Sequence, residues 1–192
     1  MGLFQKALET YKCFADKAGI TIEGHAALLP VSHIMQNADI EISIDINGKF
    51  YGVTLVDKKD KKTIIPATIE STSRTGDNNR AHPLSDLKIN EDKYNAYISR
   101  LKAWTESAYW HPKAVAVLKY VQGGTILKDL TDNKIITLSD KGEPIEPKGC
   151  DKYMVRWRVL GDTQNNITAC WMDKSLFEAY INYYDSVIKN HD

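Results

Sequence analysis

The sequence lacks an excess of either positive or negative charge. Its 192 residues include 25 Lys or Arg and 25 Asp or Glu, so the formal net charge at pH 7 is zero. A domain that binds nucleic acid without help is usually basic. Any nucleic-acid contact must therefore depend on a local cluster of basic side chains, or on partner subunits that supply the rest of the positive field.

Cysteines are few, and long apolar runs are missing. Cys13, Cys150 and Cys170 are widely spaced and include no Cys-x-x-Cys pair, which argues against a disulfide framework and against a zinc knuckle. Reduced thiols are typical of the cytoplasm. No run approaches the roughly 20 apolar residues of a membrane-spanning helix, and the first residues do not resemble a signal peptide. We therefore expect a cytoplasmic protein with no membrane contact.

Motifs of known catalytic sites are missing as well. The sequence contains no GxxxxGK[ST] phosphate-binding loop and no GxSxG nucleophile turn, and its five histidines form no HxH or HExxH pair. Glu41 and Asp45 fall on the polar face of a predicted strand, where carboxylates are expected to meet solvent. We therefore predict a protein that is not an enzyme and that uses neither a metal nor another cofactor.

The apolar residues that are present, 43% of the chain, follow clear periods. Helical spacing over residues 3–18 predicts an opening helix with one buried face. Isoleucines alternate with polar residues over 40–46, which predicts a half-buried strand. Asn47-Gly48 then predicts a type I′ hairpin turn. Residues 40–66 are therefore expected to form an antiparallel meander.

In the second half of the chain, the sequence pattern predicts a helical part over residues 91–130. It also predicts a hairpin followed by a helix over residues 153–188. The predicted helices lie at 91–109, 112–122 and 174–188. Residues 153–160 alternate and 167–172 return, which predicts an antiparallel hairpin. Strands and helices come in runs, which is typical of the α+β class. The predicted fold is one domain in which antiparallel sheets of hairpins pack with several α-helices.

A long segment between these parts, residues 70–90, shows neither period and is rich in loop-forming residues. Such a loop in a compact domain is usually functional or disordered. Hydroxyls and amides bind phosphates, while arginine and asparagine also recognise guanine and adenine edges. The candidate DNA-binding residues of this recognition loop are Arg74, Thr75, Asn78, Asn79, Arg80 and His82. The alternative is an ordinary solvated loop.

Two further clusters of basic residues are candidates. Lys58 and Lys62 belong to a lysine-rich segment upstream of the loop, where they would add contacts to DNA phosphates. Arg156 and Arg158 share one face of the strand predicted over 153–160, and two arginines at this spacing suit adjacent phosphates or an acidic partner protein. The alternative for the arginines is an exposed strand face with Trp157 in the core.

Several segments, taken in chain order, resemble a known family. They lie at 1–11, 40–50, 65–66, 71–86, 111–112, 124–127, 154–158, 170–171 and 173–177, together with Trp104 and Tyr120. Their order and spacing are similar to those of the N-terminal domain of the large subunit of the type I-C CRISPR surveillance complex, Cascade. Family members are much longer than residues 1–192. This sequence departs from the family pattern in the loop at two places. Ala81 stands where the family usually has proline. The segment after Asp86, residues 87–90, is shorter than in the family and lacks an aromatic residue.

The resemblance implies a role in antiviral defence within an RNA-guided complex. In such a complex the guide RNA reads the target by base pairing, and the protein reads only the short flanking PAM and the duplex around it. The implied partners are the other Cascade subunits, including the one that holds the 5′ handle of the guide RNA, the target double-stranded DNA, and a recruited helicase-nuclease. The alternative is a protein-interaction module that docks into the complex, or competes for a place in it, without reading DNA.

Overall fold

The computed structural model describes residues 2–20, 28–67, 84, 87 and 90–189. The helices are α1 (Leu3–Phe14), α2 (Glu91–Thr105), α3 (Pro112–Gly123), α4 (Ile126–Asp132) and α5 (Lys174–Lys189). The strands are β1 (His33–Asn37), β2 (Ile40–Asp45), β3 (Phe50–Leu55), β4 (Lys62–Pro66), β5 (Thr137–Leu138), β6 (Pro144–Glu146) and β7 (Val155–Leu160). The predicted α+β class is confirmed. Within the described ranges, no helix is long and apolar enough to cross a membrane.

The central sheet has the strand order β3-β2-β7. β2 and β3 pair antiparallel, so the predicted first hairpin is confirmed. The predicted second hairpin is wrong, because β7 lies parallel to β2 and the return segment forms only one bridge, from Arg158 to Ala169, before the 3-10 helix Cys170–Met172. A long crossover through α2, α3 and α4 brings β7 to the free edge of β2, which is the connection that parallel pairing needs.

The hairpin turn differs in type from the prediction. Gly48 has a φ of 83°, but Asn47 does not have a positive φ. The Asp45 side chain accepts hydrogen bonds from the backbone N–H groups of Asn47 and Lys49, at 2.9 and 2.8 Å, and the Gly48 N–H donates to the Asp45 carbonyl. These bonds favour a type I turn followed by a left-handed glycine, the usual three-residue hairpin loop.

The predicted meander ends sooner than expected. β4 does not join β3 but pairs antiparallel with β1, forming a separate two-stranded sheet. β1 has the sequence His-Ile-Met-Gln-Asn, which lacks the alternation that would have predicted a strand. The residues between the sheets are tied together, since the Lys61 ammonium lies 2.5 Å from the Asp39 carboxylate.

The opening helix is confirmed as α1, but its predicted buried face is wrong. Leu3 is 81% exposed and Phe14 is 47% exposed. Tyr11 is half-buried, with its hydroxyl 3.4 Å from the Leu29 carbonyl oxygen, and Ala18 is buried just beyond the helix. Helical spacing reveals that a helix has an apolar face, but it does not reveal whether another element covers that face.

The other helices begin where their capping residues predict. The Asn90 side chain accepts a hydrogen bond from the Lys93 N–H at 3.0 Å, and Pro112 occupies the first turn of α3. Asp173 Oδ1 accepts from the Ser175 N–H at 3.0 Å at the start of α5. α2 ends at Thr105 rather than at 109, because the Ser107 hydroxyl bonds the Trp104 carbonyl and competes with the helical pattern.

The main hydrophobic core lies between the central sheet and α3. The isoleucines of β2, Ile40, Ile42 and Ile44, are fully buried there, as their alternation predicts. They pack with Tyr120 and Val121 of α3. A second apolar cluster joins the C-terminal part of α2 to α5 through the rings of Trp104 and Tyr180, whose centroids are 5.1 Å apart.

Candidate nucleic-acid interface

Most of the predicted DNA-binding residues lie outside the described residues. They are Arg74, Thr75, Asn78, Asn79, Arg80 and His82. Their contact with DNA stays a prediction. The described part of the candidate interface consists of the lysine-rich turn that precedes β4 and the two arginines of β7.

Arg156 is buried inside this region, with 4% of its surface exposed. Its guanidinium donates to Glu41 Oε2 from Nε at 2.9 Å and from Nη2 at 2.6 Å. It also donates to Asp60, from Nη1 to the carbonyl oxygen at 2.8 Å and from Nη2 to Oδ2 at 2.7 Å. The guanidinium lies over the Trp171 ring at 3.8 Å from the ring centroid. Arg156 therefore joins β2, β7 and the turn at Asp60.

Arg158 shares this face of the sheet, as the alternation predicts. Its Nε donates to the other carboxylate oxygen of Glu41, and its Nη1 donates to the Thr168 hydroxyl at 2.8 Å. One third of the Arg158 side chain is exposed. Contact of Arg156 or Arg158 with a phosphate or a partner stays a prediction; the exposed part of Arg158 is the better placed of the two.

The expectation that Glu41 meets solvent is wrong. Parallel pairing aligns Glu41 of β2 with Arg156 of β7, and the carboxylate is buried between two guanidinium groups. A carboxylate taken out of water is costly unless cations and hydrogen bonds compensate it, and both arginines supply that compensation. The sequence pattern identified the polar face of β2 but not the strand that covers its edge.

The lysine turn, which we define as residues 57–61 together with Lys62, the first residue of β4, lies at the edge of the fold. The side chains of Lys58, Lys59 and Lys62 are exposed. The Asp57 side chain accepts a hydrogen bond from the Lys59 N–H at 2.8 Å, and Asp60 is held by Arg156. A short turn that is tied to β7 through Asp60 therefore presents several lysines to solvent, and Lys58 and Lys62, both predicted from the sequence, belong to it.

A second polar cluster joins α3 to α5 in the interior. Lys113 is fully buried and donates to the Asp173 carboxylate and to the Ile167 carbonyl. His111 Nε2 lies 3.2 Å from the Ser175 hydroxyl, which donates to Asp173 Oδ1 at 2.6 Å. Burial alone would raise the pKa of Asp173, but the hydrogen bonds from Lys113 and Ser175 outweigh it and hold that pKa below its ordinary value. Each ionic group of the cluster has a partner, so the cluster is a structural link between α3 and the start of α5.

A cavity of about 660 Å³ opens between the β1–β4 sheet, α2, α5 and β7. Its walls are rich in aromatic rings, including those of Trp104, Trp157, Trp171 and Tyr180. No local motif could have revealed this cavity, because its lining residues come from elements that are far apart in the chain.

His33 is the unusual polar residue of the cavity wall. Its Nδ1 donates to the Val31 carbonyl at 2.8 Å, and its ring packs edge-on against Phe177 and Tyr180. Burial lowers the pKa of His33 to about 4, so the ring is neutral at pH 7 and Nε2 carries a lone pair. Nε2 is buried and has no hydrogen-bond partner within the described part of the chain. Buried polar atoms are rarely left in this state.

Metal ligands do not converge in the part of the chain that the structure describes. No group of three or more His, Cys, Asp or Glu side chains there is placed to hold an ion. The described surface has exposed lysines beside an internal ion-pair network.

Comparison with known families gives the class of this α+β chain, a CRISPR-associated protein. The family described as CRISPR-associated protein (Cas_Csd1) matches residues 8–192, nearly the whole chain, and the chain belongs to this family. No curated protein matches the chain. The protein is therefore a component of a CRISPR-Cas system.

Proposed function

We propose that this chain is a non-catalytic recognition module of a type I-C CRISPR surveillance complex, where it contributes to recognition of the PAM and target duplex and to assembly of the complex. The observation that carries the proposal is the anchoring of the lysine turn. Arg156 holds Asp60 from within the fold, and Lys58 and Lys62 are exposed on either side of Asp60 in the chain. Lysines placed in this way suit the phosphates of a duplex.

The position of the turn in the chain supports a division of labour. The turn leads into β4, and the recognition loop follows β4 in sequence. Phosphate contacts fix the position of a protein on a duplex, whereas contacts to base edges carry sequence information. We assign the phosphate contacts to the lysine turn and the PAM contacts to Arg74, Asn78, Asn79 and Arg80.

The zero net charge of the chain fits a shared binding site. A few lysines neutralise only a few phosphates, so most of the affinity must come from the guide RNA and from neighbouring subunits. The expected neighbours are the subunit that holds the 5′ handle of the guide RNA and the recruited helicase-nuclease. This assembly would act in the cytoplasm.

A second candidate function, docking without DNA reading, is favoured by α1. Leu8, like Leu3 and Phe14 on the same helix, is largely exposed, at 53%. Exposed apolar residues grouped on one helix are typical of a surface that another protein covers. In this case the chain would hold a place in the complex while a different subunit reads the PAM.

The lysine turn is tested by measuring duplex binding of the assembled complex at several salt concentrations. The Lys58→Ala/Lys62→Ala double variant is expected to weaken binding to duplexes with correct and scrambled PAM alike. It should reduce the slope of log K against log salt by about 2, since each lost phosphate contact removes roughly 0.9. Lys128→Ala, at an exposed lysine of α4, is the control. Unchanged binding of both duplexes would overturn the proposal.

A further inference from the structure

We propose that the aromatic cavity beside His33 binds one unstacked nucleobase, so that this chain captures a base from a single strand of nucleic acid. The inference rests on the proposed function in one respect. A complex that opens a duplex at its target exposes unpaired bases close to its PAM-reading subunit. The site itself is separate from the lysine turn and acts on a different form of nucleic acid.

The size of the cavity suits such a ligand. Its volume of about 660 Å³ falls within the range of roughly 300–1,000 Å³ that is usual for small-molecule sites. Arg100 and Ile188 line it and are exposed, so they mark its opening to solvent. An arginine at the opening is well placed for the phosphate that follows a captured base.

The aromatic walls provide surfaces for stacking. Trp104 is held in place by edge contact with Tyr180, at 5.1 Å, and by stacking with Tyr183, at 6.3 Å between ring centroids. Trp171 is fixed on one side by the Arg156 guanidinium. Rings that are already immobilised lose little freedom when a base stacks on them, and stacking on aromatic side chains accepts every base.

His33 adds a hydrogen bond that distinguishes a base from a purely apolar ligand. Because Nδ1–H donates to Val31, Nε2 is an acceptor, and it is the buried atom that lacks a partner among the described residues. Adenine, cytosine and guanine carry amino groups, and thymine and uracil carry a ring N–H. Any base can therefore donate to Nε2. An aliphatic side chain would leave Nε2 unpaired, and an anion would meet a lone pair.

The test follows the tryptophan fluorescence of the whole chain on titration with three probes: a hexamer of deoxyadenylate, an abasic hexamer with the same number of phosphates, and adenosine monophosphate. We expect quenching by the deoxyadenylate hexamer and at least about tenfold weaker binding of the abasic one, since one stacked base is worth roughly 5- to 150-fold. Adenosine monophosphate should bind more weakly than the hexamer. Equal binding of the two hexamers, or no quenching up to about 1 mM, would overturn the proposal. Adenosine monophosphate that binds as tightly as the hexamer would assign the cavity to free nucleotides and overturn strand capture.

Two variants locate the bound base. His33→Phe keeps an aromatic ring but removes the acceptor, and Val187→Trp fills the cavity from α5 without changing His33. Each should weaken binding of the deoxyadenylate hexamer about tenfold. Asn182→Trp places the same indole at an exposed position of α5 that does not line the cavity, and it should bind normally. If His33→Phe does not fold, as judged by thermal unfolding, the binding measured for Val187→Trp decides whether the base occupies the cavity.

The proposed base site and the proposed role of the lysine turn can be disproved independently. Val187→Trp should leave duplex binding by the assembled complex unchanged, because that binding is assigned to the lysine turn. If the Val187→Trp chain binds the hexamer as tightly as the unchanged chain does, the base site is overturned while the role of Lys58 and Lys62 still stands.

Discussion

Glu41 and Arg156 lie opposite each other on adjacent parallel strands, with Arg156 Nη2 2.6 Å from Glu41 Oε2. They are separated by 115 positions in the sequence, and both are buried. This pair joins the first hairpin to the last strand of the sheet. Through Asp60 it also fixes the lysine turn, so the stability of the sheet and the shape of the candidate interface depend on the same guanidinium.

Loss of Arg156 should therefore destabilise the protein strongly. Arg156→Met leaves a buried carboxylate with a single cationic partner, and we expect the free energy of unfolding to fall by about 3 kcal/mol. Urea unfolding followed by circular dichroism measures this change. Lys128→Ala breaks the exposed pair with Asp132 and should cost less than about 0.5 kcal/mol. Equal losses in the two variants would contradict the assigned role.

Gly48 should be intolerant of a side chain for two reasons. Its φ of 83° is strained for other residues, and a Cβ there would lie 2.8 Å from the Ala116 carbonyl oxygen of α3. Gly142 has a similar φ of 78° but open space around it. Gly142→Ala should cost about 1 kcal/mol for the backbone alone, and Gly48→Ala about 2 kcal/mol or more. The difference in Tm between the two variants measures the effect of the contact with α3. Equal shifts in Tm would show that this contact does not affect stability.

His33 should make the protein less stable in mild acid. Its pKa is lowered from 6.5 to about 4 by burial, so between these pH values the unfolded chain binds the extra proton. The stabilisation is fully present above about pH 6.5 and is lost as the pH falls towards 4. Between about pH 7.5 and about pH 5, the wild-type protein should lose about 2 kcal/mol more than His33→Phe does. Urea unfolding at both pH values gives the comparison, and equal losses would contradict it.

Substitutions in the recognition loop should change the selectivity for the correct PAM rather than the overall affinity for duplex DNA. Arg74→Ala or Asn79→Ala in the assembled complex should reduce the preference for the correct PAM by about 1–3 kcal/mol, or roughly 5- to 150-fold, because a bidentate base contact is lost. Binding to a scrambled duplex should change little. Mobility shifts with the two duplexes measure the ratio. An unchanged ratio, together with loss of co-purification on replacing Leu3 and Leu8 by serine, would favour the docking function.

Features set by neighbouring residues were predictable from the sequence. The alternation of Ile40, Ile42 and Ile44, the cap at Asn90 and the cap at Asp173 each depend on a few adjacent positions. The hairpin was predicted, but its turn type depended on the Asp45 side chain. Local propensity and periodicity carry this information because the physical forces that they reflect act within one element.

Features set by distant partners were not predictable. Lys113 stands in the first turn of a helix, where a lysine usually meets solvent, yet Asp173 and Asp162 enclose it from the other end of the chain. The burial of Glu41 required knowledge that β7 pairs parallel with β2. His33 lies in a strand without alternation. In each case the decisive partner is remote in sequence, and a single sequence holds no record of that contact.

The parallel pairing of β2 with β7 also has a consequence for the order in which the protein is made. A ribosome releases the first hairpin long before it reaches Val155–Leu160. Until those residues emerge, one edge of β2 has no strand beside it, and Glu41 has neither of its arginines. The nascent chain therefore carries an unfinished sheet while residues 46–154 are being made. The central sheet is completed only when β7 has emerged and paired with β2.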